Sequence, residues 1–89
     1  MQEKKLLIIN KLGLHARAAA KLIGVTSRFS SEILLEKDGR AVDGKSIMSV
    51  MMLAASKGTT LTVKITGNDE ESAMSAIEEL INNRFDEDE

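Results

Sequence analysis

The sequence NKLGLHARAAAK occupies residues 10–21 and joins two stretches of different pattern. Residues 6–9 are apolar and partly β-branched, which predicts a short strand buried on at least one face. Residues 16–26 place alanine, leucine and isoleucine at helical spacing. Gly13 allows the chain to turn between the two. The only histidine, His15, therefore falls at the start of a helix.

This position suits His15 to one kind of chemistry. The first backbone N–H groups of a helix lack intrahelical acceptors, and the helix dipole adds partial positive charge there. That charge disfavours imidazolium, so a neutral ring keeps a nucleophilic nitrogen, and the N–H groups could hold a phosphoryl group placed on it. Arg17 adds planar donors that match phosphate oxygens. The alternative interpretation is that His15 only caps the helix and Arg17 is a solvated charge.

Strand patterns recur at residues 32–37, 40–43 and 59–66. The first two flank Asp38-Gly39, a strong hairpin signal, so they should pair antiparallel. The last alternates apolar and polar residues, which predicts a strand with one face in water.

Two further helices complete the pattern. A short helix is predicted from Ile47 to residue 54 or 55, and a last one after Asn68, with Asn68 and Glu71 as a capping pair. The order βαββαβα predicts a two-layer α+β fold, an open-faced sandwich of a four-stranded antiparallel sheet with three helices on one face. We expect residues 1–85 to form a single domain and the acidic residues 86–89 to be a frayed, solvated tail.

Composition excludes several classes of function. The chain has no cysteine, so disulfides and thiolate metal sites are excluded, and we expect no metal site. Two phenylalanines without tyrosine or tryptophan, together with a net charge of −2, argue against nucleic-acid binding. The apolar run at residues 6–9 is too short for a signal peptide or a membrane span, so we expect no membrane insertion and a cytoplasmic protein.

One nucleotide-binding motif is a chance match. Residues 39–46, GRAVDGKS, fit the phosphate-binding loop pattern G-x-x-x-x-G-K-S/T. Such a loop joins a buried parallel strand to a full helix, whereas here the first glycine belongs to a hairpin and the following helix is short. A nucleotide enzyme is therefore a distant alternative, which nucleotide binding dependent on Lys45 would support.

Two segments resemble one known family. Residues 10–17, NKLGLHAR, are similar to the active-site signature of the HPr family, the histidine-containing phosphocarriers of the bacterial phosphotransferase system. Residues 43–54, DGKSIMSVMMLA, resemble that family's regulatory serine segment at the expected distance. The resemblance extends from Leu6 to about Ile81. One difference is Ala18, where the family often has proline, and alanine keeps the helix.

The resemblance implies a function for the site. Enzyme I, charged by phosphoenolpyruvate, would place a phosphoryl group on Nδ1 of His15, and an enzyme IIA protein or domain would accept it. His15 would be the covalent nucleophile, and Arg17 would stabilise the phosphoryl charge. Such a carrier needs no cofactor, does not turn over a substrate alone, and is expected to act as a monomer.

Ser46 stands at the predicted start of the short helix, where it is a plausible N-cap. A phosphate there would meet free N–H groups and would place negative charge beside any docking surface. The resemblance implies that Ser46 is a regulatory target of HPr kinase/phosphorylase.

The same helix predicts a docking surface. Val50 and Leu53 can face the sheet, which leaves an exposed apolar cluster. Flexible methionine side chains suit a surface that serves several partners. We call this cluster the docking patch; it consists of Ile47, Met48, Met51 and Met52. Beside His15, the small residues Ala16 and Ala20 leave flat ground that a partner could approach.

Two alternatives remain open. The nearer is the same chemistry on the nitrogen-related branch, which regulates other proteins and does not feed sugar import. The other is a non-catalytic regulatory module that binds a partner through Ser46 and leaves His15 idle.

Overall fold

The strands and helices follow the predicted order in a computed structural model that describes residues 1–89. The strands are Gln2–Leu7 (β1), Glu32–Lys37 (β2), Arg40–Asp43 (β3) and Thr60–Thr66 (β4). The helices are Ala16–Thr26 (α1), Ile47–Met52 (α2) and Glu70–Asn82 (α3), and a 3₁₀ turn follows at Arg84–Asp86.

The first strand begins earlier than its apolar run predicts. Residues 2–5 are polar or charged and mostly exposed, yet they pair with β4, because antiparallel pairing uses the backbone and not the side chains. The apolar pattern identified only the inward-facing end, where Leu6 is buried opposite Leu61.

All strand pairs are antiparallel, and the sheet has the order β1-β4-β2-β3. The predicted β2–β3 hairpin is confirmed, since Asp38 and Gly39 have φ values of 51° and 82°, the two positive angles of its tight turn. Residues 39–46 therefore begin in this hairpin and continue along β3, which is not the setting of a phosphate-binding loop.

The core lies between the sheet and the helices. Leu61, Val63 and Ile65 of β4 are fully buried, whereas the residues that alternate with them are partly or fully exposed. Leu22 of α1 and Ile77 of α3 are fully buried on the helix side. The predicted two-layer α+β fold with helices on one face is confirmed. None of the helices has the length and apolar character required to cross a membrane.

Helix α2 is shorter than predicted. It ends at Met52 because the chain turns away at Ala54, which has a φ of 53°. The predicted N-cap is confirmed, since the Ser46 side chain accepts the backbone N–H of Ser49 at 3.3 Å.

The start of α3 differs from the prediction. Asn68 and Glu71 do not form the capping pair; instead Asp69 is the N-cap, and its carboxylate turns outward to the loop before β2. The Glu70 carboxylate accepts the N–H of Gly67 at 3.1 Å. Local spacing missed this arrangement because Asp69 bonds to residues far away in sequence.

The end of the chain also differs from the frayed tail predicted for residues 86–89. Phe85 is fully buried, and residues 84–86 have positive φ values of 57°, 53° and 62°. From this turn the chain comes back to the loop before α1, where the backbone N–H of Lys11 donates to the carbonyl of Glu89 at 2.6 Å. Cationic and amide groups on that loop provide partners for the acidic residues.

Candidate functional site

The loop before α1 is fixed by its own backbone and by the segment after α2. The Asn10 side chain donates to the carbonyl of Gly13 at 2.8 Å, and the N–H of Leu14 donates to Ala55 at 2.8 Å. Gly13 has a φ of +66°, and a Cβ there would lie 2.6 Å from the Ala55 oxygen and 2.7 Å from the Ser56 Cα. Only glycine fits where the loop passes so close to the backbone of residues 55 and 56. This close contact fixes the segment that leads into α1.

His15 is the N-cap of α1, with extended backbone angles of −73° and 177° and no hydrogen bond from its side chain to the helix. Its carbonyl accepts the first bond of the helix, from Ala19 at 2.8 Å. The backbone N–H groups of Ala16, Arg17 and Ala18 have no acceptor in the chain. These donors and the helix dipole favour an anion beside the imidazole.

The imidazole contacts a carboxylate from the end of the chain. Nε2 of His15 lies within hydrogen-bonding distance of Oε2 of Glu87, and Oε1 of Glu87 accepts the Asn10 amide at 2.9 Å. The bond from Asn10, and more weakly that from His15, holds the pKa of Glu87 below its ordinary value, although desolvation acts in the opposite direction.

Glu87 is therefore ionised at neutral pH and can only accept, so Nε2 is the protonated, donating nitrogen. Nδ1 has no partner in the chain.

An open cavity of about 550 Å³ borders this contact. His15 and Arg17, predicted to act together, both line it, as do Lys11 and the last three residues of the chain. The Lys11 ammonium lies 3.6 Å from the Glu89 carboxylate, whereas the exposed Arg17 guanidinium has no hydrogen-bond or salt-bridge partner. Arg17 is thus free to bind an anion at the start of α1. No group of three histidine or acidic side chains is arranged to hold a metal ion.

The docking patch is exposed, as predicted from helical spacing. The fraction exposed is 38% for Ile47, 68% for Met48, 41% for Met51 and 60% for Met52. Val50 and Leu53 are buried, and α2 packs against α1.

The two predicted alanines and Ser46 also lie at the surface. Ala16 and Ala20 are exposed on α1, and Ser46 is half-buried at the start of α2. The structure therefore brings the start of α1 and the docking patch onto neighbouring helices.

Sequence reasoning gave no role to Asn10 or Glu87. Asn10 lay inside the motif, but nothing in its spacing indicated a fully buried side chain that joins the loop to the tail. A signal for Glu87 was present in the charges, since residues 86–89 are all acidic and the rest of the chain carries a net charge of +2. A negatively charged tail can therefore pair with cationic side chains in the rest of the chain.

The family model described as PTS HPr component phosphorylation site matches residues 2–83. The chain belongs to the HPr family. A phosphocarrier protein HPr from Xylella fastidiosa is 56% identical over 88 residues, which cover 99% of each chain. The crystal structure of HPr-C-His from Thermoanaerobacter tengcongensis superposes with a TM-score of 0.97 at 44% identity and covers both chains completely.

A crystal structure of an HPr dimer from that organism matches with a TM-score of 0.79 at 45% identity, over 98% of this chain and all of the other. The resemblance predicted from the two motifs is confirmed. The protein is an HPr-type phosphocarrier of the phosphotransferase system and not an enzyme that turns over a substrate.

Proposed function

We propose that this carrier accepts a phosphoryl group on Nδ1 of His15 from enzyme I, which is charged by phosphoenolpyruvate, and passes it to an enzyme IIA protein or domain. No cofactor takes part, and the carrier acts as a cytoplasmic monomer. The observation that carries the proposal is the unpartnered Nδ1 of His15 beside three free N–H groups and the unpaired Arg17.

The transfer itself is a displacement at phosphorus. The lone pair of Nδ1 forms the new N–P bond while the bond from phosphorus to the donor breaks, and its electron pair stays with the donor. The N–H groups of residues 16–18 and the Arg17 guanidinium neutralise the three phosphoryl oxygens. The same step in reverse direction, with enzyme IIA as nucleophile, returns the electron pair to Nδ1.

We propose that the docking patch, with Ala16 and Ala20, binds both the donor and the acceptor. Four exposed apolar side chains on one short helix form an unusual surface for a small protein, which supports a binding role. Their methionines can repack against different partners. Binding through a small patch favours short-lived complexes, and a carrier that moves between partners requires them.

Ser46 is proposed as a regulatory phosphorylation site for an HPr kinase/phosphorylase. Ser46 is half-buried at the start of α2 and directly precedes Ile47 and Met48 of the docking patch. A phosphate there adds nearly two negative charges beside that apolar surface, so it would weaken docking without entering the His15 site.

The test of the proposed function is the intact mass after incubation with enzyme I, magnesium and phosphoenolpyruvate. Wild type should gain one phosphoryl group that brief acid treatment removes, because a phosphoramidate is acid-labile and a phosphoserine is not. His15→Ala should gain nothing, and Ser46→Ala should behave as wild type does. Failure of wild type to gain mass, while the same enzyme I charges another carrier, would refute the proposal.

A further inference from the structure

The position of Glu87 connects the tail to the reacting ring. Its Oε2 faces Nε2 of His15, the nitrogen that the proposed transfer does not use. Its Oε1 is held by the Asn10 amide at 2.9 Å, and the Glu87 side chain is only 16% exposed. The carboxylate is thus held between two side chains and is not a mobile surface charge.

We propose that Glu87 is a positioning residue for phosphoryl transfer. By accepting Nε2–H it keeps the ring proton on Nε2 and leaves the lone pair of Nδ1 free to react. The inference rests on the proposed function, because it gives the role of nucleophile to Nδ1 of His15.

The carboxylate also compensates the positive charge that the ring acquires during the transfer. When Nδ1 forms its bond to phosphorus, the ring retains the Nε2 proton and becomes positively charged. The Glu87 carboxylate neutralises that charge, in the way that a carboxylate orients and stabilises a catalytic histidine in other sites. When the N–P bond breaks, its electron pair returns to Nδ1, the ring becomes neutral again, and Glu87 stays ionised throughout.

The fold holds this carboxylate in place from both sides. Before it, Phe85 is fully buried and its carbonyl accepts the Lys21 ammonium at 2.8 Å. After it, the carbonyl of Glu89 accepts the N–H of Lys11 at 2.6 Å. Three consecutive residues of positive φ turn the chain between α3 and Glu87. The contact therefore depends on several independent anchors in addition to charge.

A purely electrostatic role for the tail predicts a different effect of neutralising Glu87 from the one that the positioning role predicts. Glu87 and Glu89 line the same cavity as Arg17, and both repel an incoming phosphoryl group. If repulsion were their only effect, neutralising either carboxylate would accelerate phosphorylation. The positioning role requires that neutralising Glu87 slows it and that neutralising Glu89, which does not contact the ring, does not.

The experiment compares Glu87→Gln with the matched control Glu89→Gln, which removes the same charge from the same tail. The first readout is the ¹⁵N spectrum of the His15 ring in the unphosphorylated, full-length protein. Wild type and Glu89→Gln should show Nε2 protonated in essentially all neutral molecules. Glu87→Gln should show a mixture of the two tautomers, because an amide can donate as well as accept.

The second readout is the rate of phosphorylation by enzyme I with phosphoenolpyruvate. Glu87→Gln should lower kcat about 10-fold or more and leave the KM for the carrier unchanged, because Glu87 is not in the docking patch. Glu89→Gln should react as fast as wild type or faster.

A Glu87→Gln protein with unchanged tautomers, or one phosphorylated as fast as wild type, overturns the positioning role. Equal slowing by the two variants overturns it as well. The failure of wild type to accept phosphate at His15 refutes the proposed function instead, while the ¹⁵N spectra still report whether Glu87 sets the tautomer.

Discussion

Asp69 joins the start of α3 to the loop before β2 through Ser31. Its Oδ1 accepts both the backbone N–H of Ser31, at 3.0 Å, and the Ser31 hydroxyl. Its Oδ2 accepts the N–H of Ser30 at 2.9 Å. The hydroxyl first, and then the backbone bond from Ser30, lower the pKa of Asp69 from 3.8 to about 2. The ionised carboxylate accepts these bonds on both oxygens, whereas protonation would turn one oxygen into a donor and weaken them.

Asp69→Asn should destabilise the protein in a pH-dependent way. Because the pKa of Asp69 is lower in the native state than in the unfolded state, its contribution is fully present above the unfolded value of 3.8 and is lost as pH falls through about 2. Urea unfolding should show wild type to be more stable than Asp69→Asn at about pH 5, with the difference vanishing near the acidic end. A difference independent of pH would show that the charge is not responsible.

Gly13→Ala should destabilise the fold by about 2 kcal/mol or more, since it forces a Cβ against backbone atoms at a left-handed position. It should also slow phosphorylation of His15. Gly24→Ala is the matched control, because Gly24 lies within α1 with nothing within 4 Å of an added Cβ. This change should stabilise the protein by about 0.5–1 kcal/mol. Thermal unfolding measures both variants. A shift of Tm in the same direction for the two would contradict the conclusion that only glycine fits at position 13.

Arg17→Ala should slow phosphoryl acceptance without loss of stability. The Arg17 side chain is exposed and unpaired, so its removal should change the free energy of unfolding by less than about 0.5 kcal/mol. Arg17→Lys should have an intermediate rate, because lysine keeps the charge but not the planar pair of donors. Stopped-flow transfer from enzyme I measures both. Full activity of the alanine variant would show that Arg17 does not take part in phosphoryl transfer.

Met48→Ser should raise the KM of the carrier for enzyme I at least about fivefold, or about 1 kcal/mol, if Met48 is an anchor of the docking patch. Its stability should stay close to that of wild type, since Met48 is 68% exposed. Leu7→Ser is the control: Leu7 is 50% exposed but lies on the face of the sheet opposite the helices. Equal effects of the two changes would indicate that the patch has no specific role.

Ser46 variants should separate its capping role from its proposed regulatory role. Ser46→Ala should lower the free energy of unfolding by about 1 kcal/mol but transfer phosphate normally. Ser46→Asp and Ser46→Asn both retain a capping side chain, so both should stay near wild-type stability. Only the aspartate variant should be slowed in transfer by enzyme I. If the asparagine variant were slowed as much, shape and not charge would control docking.

The sequence was sufficient for the order of elements because each carries a local signal. Asp38-Gly39 predicted the β2–β3 hairpin, and the alternation of β4 predicted its buried and wet faces. The prediction was wrong where pairing depends on distant backbone: residues 2–5 form a strand without an apolar pattern, and Asp69 binds the loop before β2.

The functional site, like the fold, was predicted from the sequence only where the signal was local. His15 and Arg17 share one short motif, and the structure brings both to one cavity. Glu87 is 72 residues away from His15, and a run of acidic residues at a chain end usually indicates a solvated segment. Only the left-handed turn after α3 returns it to the ring, and no pattern of residue types predicts three successive positive φ values.

The central place of β4 has a consequence for synthesis of the chain. β1 pairs with β4 and with no other strand, so the first strand has no partner until residues 60–66 have been made. The loop that carries His15 likewise lacks its support until Ala55 and Ser56 are present. A ribosome paused before these residues therefore holds a chain that cannot close its sheet. We expect this protein to acquire its active form only after β4 has been made, in one late cooperative step that depends on contacts between distant residues.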